Sequence, residues 1–274
     1  MKSVRAALAV QNCPAGRFDS NLSSTVDLAT RAARNQADMV VFPEMNLTGY
    51  AAGEIITHIA RPLDHDLLSP LSTLSEKYGI TILAGMAELV NPNKKTPRIC
   101  ASHLVFTPGK PVGIYRKLHT APNEKAHFSP GNQIKIFSST MLKYGIQLCY
   151  DAHFPELSTA MASKGAEAFF FPHASPRGNA RDKYLSWMRH LSARAFDNGV
   201  FVAAVNQTGE NDQGLSFPGI ALFIGPDGRV ISMSLKTEEH LHMISLDPKR
   251  MDHVRSHRMR YFFPNRRTDL FRLQ

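Results

Sequence analysis

The chain has 274 residues, 43% of them hydrophobic, enough to bury one sizeable core. Its formal charge is +9, but from Lys249 onward eight basic residues (Lys249, Arg250, Arg255, Arg258, Arg260, Arg266, Arg267 and Arg272) oppose only Asp252 and Asp269. Most of the net charge is therefore local to the C-terminal stretch, which reads as a docking or subunit-contact segment rather than a nucleic-acid arm. The apolar part of MKSVRAALAVQN spans about five residues against the roughly 7–15 of a secretory signal. No run approaches the roughly 18 apolar residues that span a bilayer, so a soluble protein with no membrane partner is expected. Cys13, Cys100 and Cys149 have no C-x-x-C spacing. They suggest neither a disulfide framework nor zinc, and fit a cytoplasmic setting.

In chain order, VRAALAV reads as a strand, followed by a helix from about Ser20 with Leu22, Val26, Ala29 and Ala33 on one face, and then the strand DMVVF. A second helix, Leu67 to Tyr78, stops at Gly79, and ITILAGMAEL follows as a strand. RICASHLVF and PVGIYRK, joined at TPGK, read as a hairpin. Leu118 to Gln133 lacks periodicity and is a loop of functional length. IKIFSS and LKYGIQLCY read as strands, PELSTAMASKG as a helix closing on Gly165, and AEAFFF as a strand. A long helix from Arg181 to Asp197 leads to VFVAAVNQ, GIALFIG, the turn PDGR and two strands ending near Leu246. Strands interleaved with helices on one core indicate a layered α/β protein.

Three reactive side chains fall at strand ends: Glu44 after DMVVFP, Lys117 after GIYR and Cys149 after LKYGIQL. The carboxyl ends of α/β strands are where active sites gather. A thiol at a strand-to-helix turn is exposed, and the following helix start is expected to lower its pKa. Taken singly, each has a plainer reading: a solvated carboxylate, a surface lysine, an inert thiol.

FPEMNLTGY, YRKLH, NEKAHFSPG and CYDAHFPE, in that order, resemble the nitrilase or carbon–nitrogen hydrolase superfamily. ARAFDNGVFVAAVNQTG and FPGIALFIGPDGRV extend the resemblance, which runs from Val4 to the RRTDLF tail. Two departures bear on substrate rather than on chemistry. His153 stands where many members carry arginine, and no proline follows the tail arginines. His153 itself reads as a structural histidine.

The resemblance implies a four-layer α-β-β-α sandwich, with the hydrolase domain over 1–250 and a basic, aromatic tail over 251–274. It implies an amidohydrolase that cleaves the non-peptide C–N bond of a small amide or N-carbamoyl compound through a thioester. Cys149 would be the nucleophile, Glu44 the base and Lys117 the electrostatic partner. Glu124 would hold the lysine and the leaving group, and the backbone N–H of Tyr150 would help bind the oxyanion. His173 and Ala174 would form the pocket wall, with Tyr50 beside them. Arg177 can match a substrate carboxylate with two parallel hydrogen bonds.

No metal or organic cofactor is needed. The pairs His240/His242 and His253/His257 have metal-compatible spacing but no third ligand, and read as solvated. The tail, with Tyr261, Phe262, Phe263 and Phe271, suggests a homodimer or larger. A nitrilase, an acyltransferase using the same thioester and an inactive scaffold member are the alternatives.

Overall fold

The computed structural model describes residues 1–51 and 53–270; Phe271 and Arg272 of the tail lie outside the described residues. In chain order the strands and helices begin β1 (Val4–Val10), α1 (Phe18–Arg34), β2 (Met39–Val41), α2 (Ile55–Ile59), α3 (His65–Tyr78), β3 (Thr81–Val90), β4 (Arg98–Phe106) and β5 (Gly113–Arg116). They continue with β6 (Ile136–Ser138), β7 (Lys143–Ile146), α4 (Pro155–Ser163), β8 (Ala168–His173), α5 (Ala180–Asn198) and β9 (Phe201–Asn206). A small β10–β11 pair (Gly209–Glu210, Ser216–Phe217), β12 (Ala221–Ile224), β13 (Val230–Ser234), β14 (His240–Leu246) and α6 (Pro248–Arg255) complete the series.

Two six-stranded sheets carry the molecule, ordered β14-β1-β2-β3-β4-β5 and β13-β12-β9-β8-β7-β6. The run VRAALAV shows why they stack. Val4, Ala6, Leu8 and Val10 point into the core between the sheets, while Ala7 and Ala9 point into a second core under α1 and α3. A strand apolar on both faces is a strand covered on both faces. Helices α4 and α5 pack on the outer side of the second sheet. The result is the α-β-β-α sandwich.

The helix ends follow their sequence signals. Asp64 caps α3 by accepting from Asp66 N–H at 2.8 Å, and Gly79 closes it in the left-handed region at φ 66°. Asn179 and Gly199 do the same for α5. The TPGK hairpin forms, with β4 antiparallel to β5. No helix among the described residues is long and apolar enough to cross a membrane.

Two local readings differ. The buried stripe of α1 is Phe18, Asn21, Thr25, Leu28, Ala29 and Ala32, rotated from the apolar face toward two polar residues. The strand read through LKYGIQLCY stops at Ile146, and Cys149–His153 form a short 3-10 turn. The physical cause is Asp151, whose carboxylate accepts the N–H of Leu148 at 3.0 Å and so turns the chain out of the sheet.

Candidate active site

β1, β2 and β3 are mutually parallel, and β5 runs in the same direction after the antiparallel β4. Glu44 and Lys117 therefore leave the same edge of the first sheet. In the second sheet β7, β8 and β9 are parallel, and Cys149, Ala174 and Gln207 follow their ends.

Each of the two side chains of the first sheet is held from behind. The loop after Glu44 lies on β3: Leu47 N–H donates to Gly85 O at 2.9 Å, and Gly85 N–H to Asn46 Oδ1 at 2.7 Å. A Cβ on Gly85 would stand 2.6 Å from Met45 N, so only glycine permits this approach. Asn46 Nδ2 in turn donates to Gln11 Oε1 and Thr25 Oγ1, which explains the polar stripe of α1.

On β5 the side chains alternate. Tyr115 lies in the core between the sheets, while Arg116 makes a two-pronged ion pair with buried Glu88 at 2.7 and 2.6 Å. Lys117, two residues beyond Tyr115, is 1% exposed. Gly131 N–H donates to Lys117 O at 2.8 Å, and a Cβ on Gly131 would meet Arg116 O.

Lys117 Nζ donates to Glu44 Oε1 at 2.9 Å and to Glu124 Oε2 and Oε1 at 2.9 and 3.1 Å. Glu124 is fixed further by Ala121 N–H at 2.9 Å and by the Tyr50 hydroxyl at 3.3 Å. Glu44 also accepts from Ala174 N–H at 3.2 Å, while its backbone carbonyl accepts from Gln207 Nε2 at 2.8 Å. Two carboxylates thus share one ammonium, and each binds it through a charge-assisted hydrogen bond.

Cys149 sits at φ 43°, a strained left-handed position for a side chain larger than glycine. It keeps a partly accessible surface. Its thiol couples electrostatically to Glu44, Lys117 and Glu124, so all four groups form one cluster.

The protonation states follow from burial. Burial pushes the Glu44 carboxyl up to about 7, against the pull of Lys117 and with the help of Glu124. Burial alone would lower Lys117, but Glu44, Cys149 and Glu124 hold it well above its usual value. The expected lowering of the thiol pKa by a helix start does not occur. Burial and the Glu44 charge push Cys149 well up, more strongly than Lys117 pulls it down. The resting thiol keeps its proton and needs a base.

The second-sheet side of the cluster contains residues that sequence reasoning singled out. Ala174 meets Glu44 there, while Tyr50, in the loop after β2 of the first sheet, meets Glu124. His173 is buried and stacked on Trp187 with ring centroids 4.2 Å apart. Tyr150 is the second residue of the short turn that Cys149 opens, where N–H groups have no intrahelical partner. Arg177 is exposed at φ 73°, with its N–H donating to Ser216 O. The cation that couples to Cys149 from that loop's side is Lys183 on α5. The ring of His153 lies against those of His190 and Tyr150.

Sequence reasoning missed Asp151. Buried, it accepts from Tyr115 Oη at 2.8 Å and His119 N–H at 2.8 Å besides Leu148, and lies 2.8 Å from His119 Nδ1. It ties the strand that carries Lys117 to the turn that carries Cys149. An acid two residues after the cysteine was the available signal. Gln207 and Asn206 were also missed; a polar pair ending the apolar strand VFVAAVNQ could have revealed them. Asn206 braces the wall by accepting from Ser175 N–H at 2.9 Å and donating to Ser175 O at 3.1 Å.

A thiol, a buried carboxyl that titrates near neutrality, an ammonium and a second carboxylate are the groups that thiol-dependent hydrolysis with a carboxylate base would need. The family model described as carbon-nitrogen hydrolase matches residues 5–256, and the chain belongs to that family. It is 31% identical over 242 residues to an (R)-stereoselective amidase from Pseudomonas sp., covering 88% of this chain and 83% of that one. It is 30% identical over 257 residues to a nitrilase from Pyrococcus abyssi, with 92% and 93% covered. Among solved structures, a cysteine-to-alanine mutant of the amidase from Nesterenkonia sp. AN1 in complex with butyramide shares the fold. Its TM-score is 0.80 at 24% identity, over 97% of this chain and 95% of that one.

Proposed function

We propose that this carbon–nitrogen hydrolase acts as an amidase on a small amide or N-carbamoyl compound, with Cys149, Glu44, Lys117 and Glu124 as its catalytic residues. The observation that carries the reading is the Lys117 ammonium held at 2.9 Å from both Glu44 and Glu124, beside a thiol that keeps its proton. Glu44 takes that proton as the sulfur attacks the carbonyl carbon. Lys117 and the Tyr150 N–H receive the developing oxyanion. As the tetrahedral adduct collapses, the protonated Glu44 gives its proton to the departing nitrogen. The same carboxylate then deprotonates a water that hydrolyses the thioester. Glu124, braced by Ala121 and Tyr50, keeps Lys117 in place, and His173 and Ala174 line the wall.

The names of the relatives, amidase and nitrilase, support amide or nitrile carbon as the electrophile. The test is ammonia release, with product masses, from aliphatic amides, N-carbamoyl amino acids and nitriles. An amide or carbamoyl compound as best substrate supports the proposal, whereas turnover of nitriles alone would move the chain to the nitrilase branch. A thiol nucleophile and two further free cysteines suit a reducing compartment such as the cytoplasm.

The assembly proposed is a homodimer or larger, built through the tail from residue 251. Helix α6 crosses the start of that tail, burying Met251 and Val254. Farther on, Phe262 packs on Phe196 of α5 while Met259 stays 84% exposed. The exposed Met259, beside the tail's arginines Arg258 and Arg260, supports contact with a second copy.

A further inference from the structure

Helix α5 presents Lys183 and, one turn on, Trp187 toward the loop that follows β8. Lys183 Nζ donates to Ser175 Oγ at 2.8 Å and to Pro176 O at 3.2 Å, both neutral acceptors. Among the described residues no carboxylate lies within ion-pair distance of it. Ser175 directly follows Ala174, whose N–H holds Glu44, so this ammonium stands one residue from the catalytic wall. Beside it lies His173, 3% exposed and flat on Trp187, with neither ring nitrogen partnered among the described residues. A buried polar ring without a partner leaves hydrogen-bonding capacity that a ligand or water must meet. The imidazole is also held neutral, by burial first and then by the neighbouring His190 and Lys183. It can therefore donate from one nitrogen and accept at the other.

We infer that Lys183, with His173 beside it, forms a carboxylate-binding subsite, and that the preferred substrates are amides carrying an anionic group a short chain away from the scissile carbon. This rests on the amidase reading for the position of that carbon. An ammonium with only neutral partners gains a charge-assisted bond from a carboxylate, and the half-buried setting screens that bond less than open water would. Its bond to Ser175, the residue after Ala174, places it beside the wall that holds Glu44, and its charge is felt by the Cys149 thiol. Arg177, by contrast, is exposed.

Binding to the full-length Cys149→Ala chain tests the subsite without turnover. Succinamate and butyramide have the same heavy-atom skeleton up to the terminus, where a carboxylate replaces a methyl. Titration calorimetry should show succinamate binding more tightly. Lys183→Met in the same background should cut the succinamate-to-butyramide affinity ratio by about 10- to 100-fold, the range for a hydrogen bond to a charged group. Lys183→Arg, which keeps the charge and guards against a folding artefact, should retain most of the preference. No preference for succinamate, or a ratio that Lys183→Met leaves unchanged because both ligands weaken equally, overturns the inference. Hydrolysis by the unsubstituted enzyme is read separately: succinamate bound through Lys183 but never cleaved would refute the amidase reading and leave the subsite standing.

Discussion

In the proposed mechanism Glu44 does two opposed things, accepting a proton from sulfur and returning one to nitrogen, and a carboxyl of ordinary acidity would do the second badly. Burial answers this by raising it to about 7, where a carboxyl can both take and return a proton near neutral pH. The sign is then definite: the base must be ionised, so kcat/KM on a neutral amide should climb about tenfold per pH unit below about 7 and level off above it. Lys117, held above its usual value, should cause no loss of activity at mildly alkaline pH. A flat profile between pH 5 and 8 would contradict this assignment. Glu44→Gln should cost about 10²-fold or more in kcat and remove the ascending limb. Glu44, Lys117, Glu124 and Cys149 were legible as motif residues. Their protonation states were not, because desolvation depends on what the second sheet places over them.

At the scale of elements, the 3-10 turn from Cys149 to His153 is the part that could not be read from local pattern. LKYGIQLCY has the composition of one strand, and it is the Asp151 carboxylate, reaching Leu148, Tyr115 and His119, that breaks it. Leu148 is local, but Tyr115 and His119, which hold the buried carboxylate in place, lie 36 and 32 residues upstream, beyond the range of any periodicity argument. The stripe of α1 failed for a related reason: Thr25 is buried as a brace for Asn46, and Asn21 as a donor to the carbonyls of Leu47 and Pro14, and neither serves as apolar core. The helix limits and the TPGK hairpin were legible because glycine, asparagine and aspartate act locally. Asp151→Asn should weaken this link, lowering kcat far more than it raises KM. Because it unsettles buried donors, it should also cost about 1–3 kcal/mol in urea unfolding. Loss of stability with unchanged kcat would reduce Asp151 to a scaffold residue.

For the molecule as a whole, the two sheets each supply half of the site, so the chemistry depends on their packing. Glu44 and Lys117 come from one, Cys149 and Ala174 from the other, and the core shared by β1, β9 and β12 fixes their separation. The layered class was legible from doubly apolar strands such as VRAALAV, but which strand ends meet across the sandwich was not. Assembly beyond one chain has its own test. Light scattering should give at least about twice the 30.5 kDa chain mass, and Met259→Glu with Phe262→Glu should return the protein to a single chain. An unchanged mass in the double variant would remove the tail from the interface. The proposed mechanism turns on the bond formed by sulfur, and intact-mass analysis of the acid-quenched chain during amide turnover reads that bond. The expected result is an acyl adduct on Cys149, with the Cys149→Ala chain neither acylated nor releasing ammonia; ammonia released by that chain at a comparable rate would contradict the account.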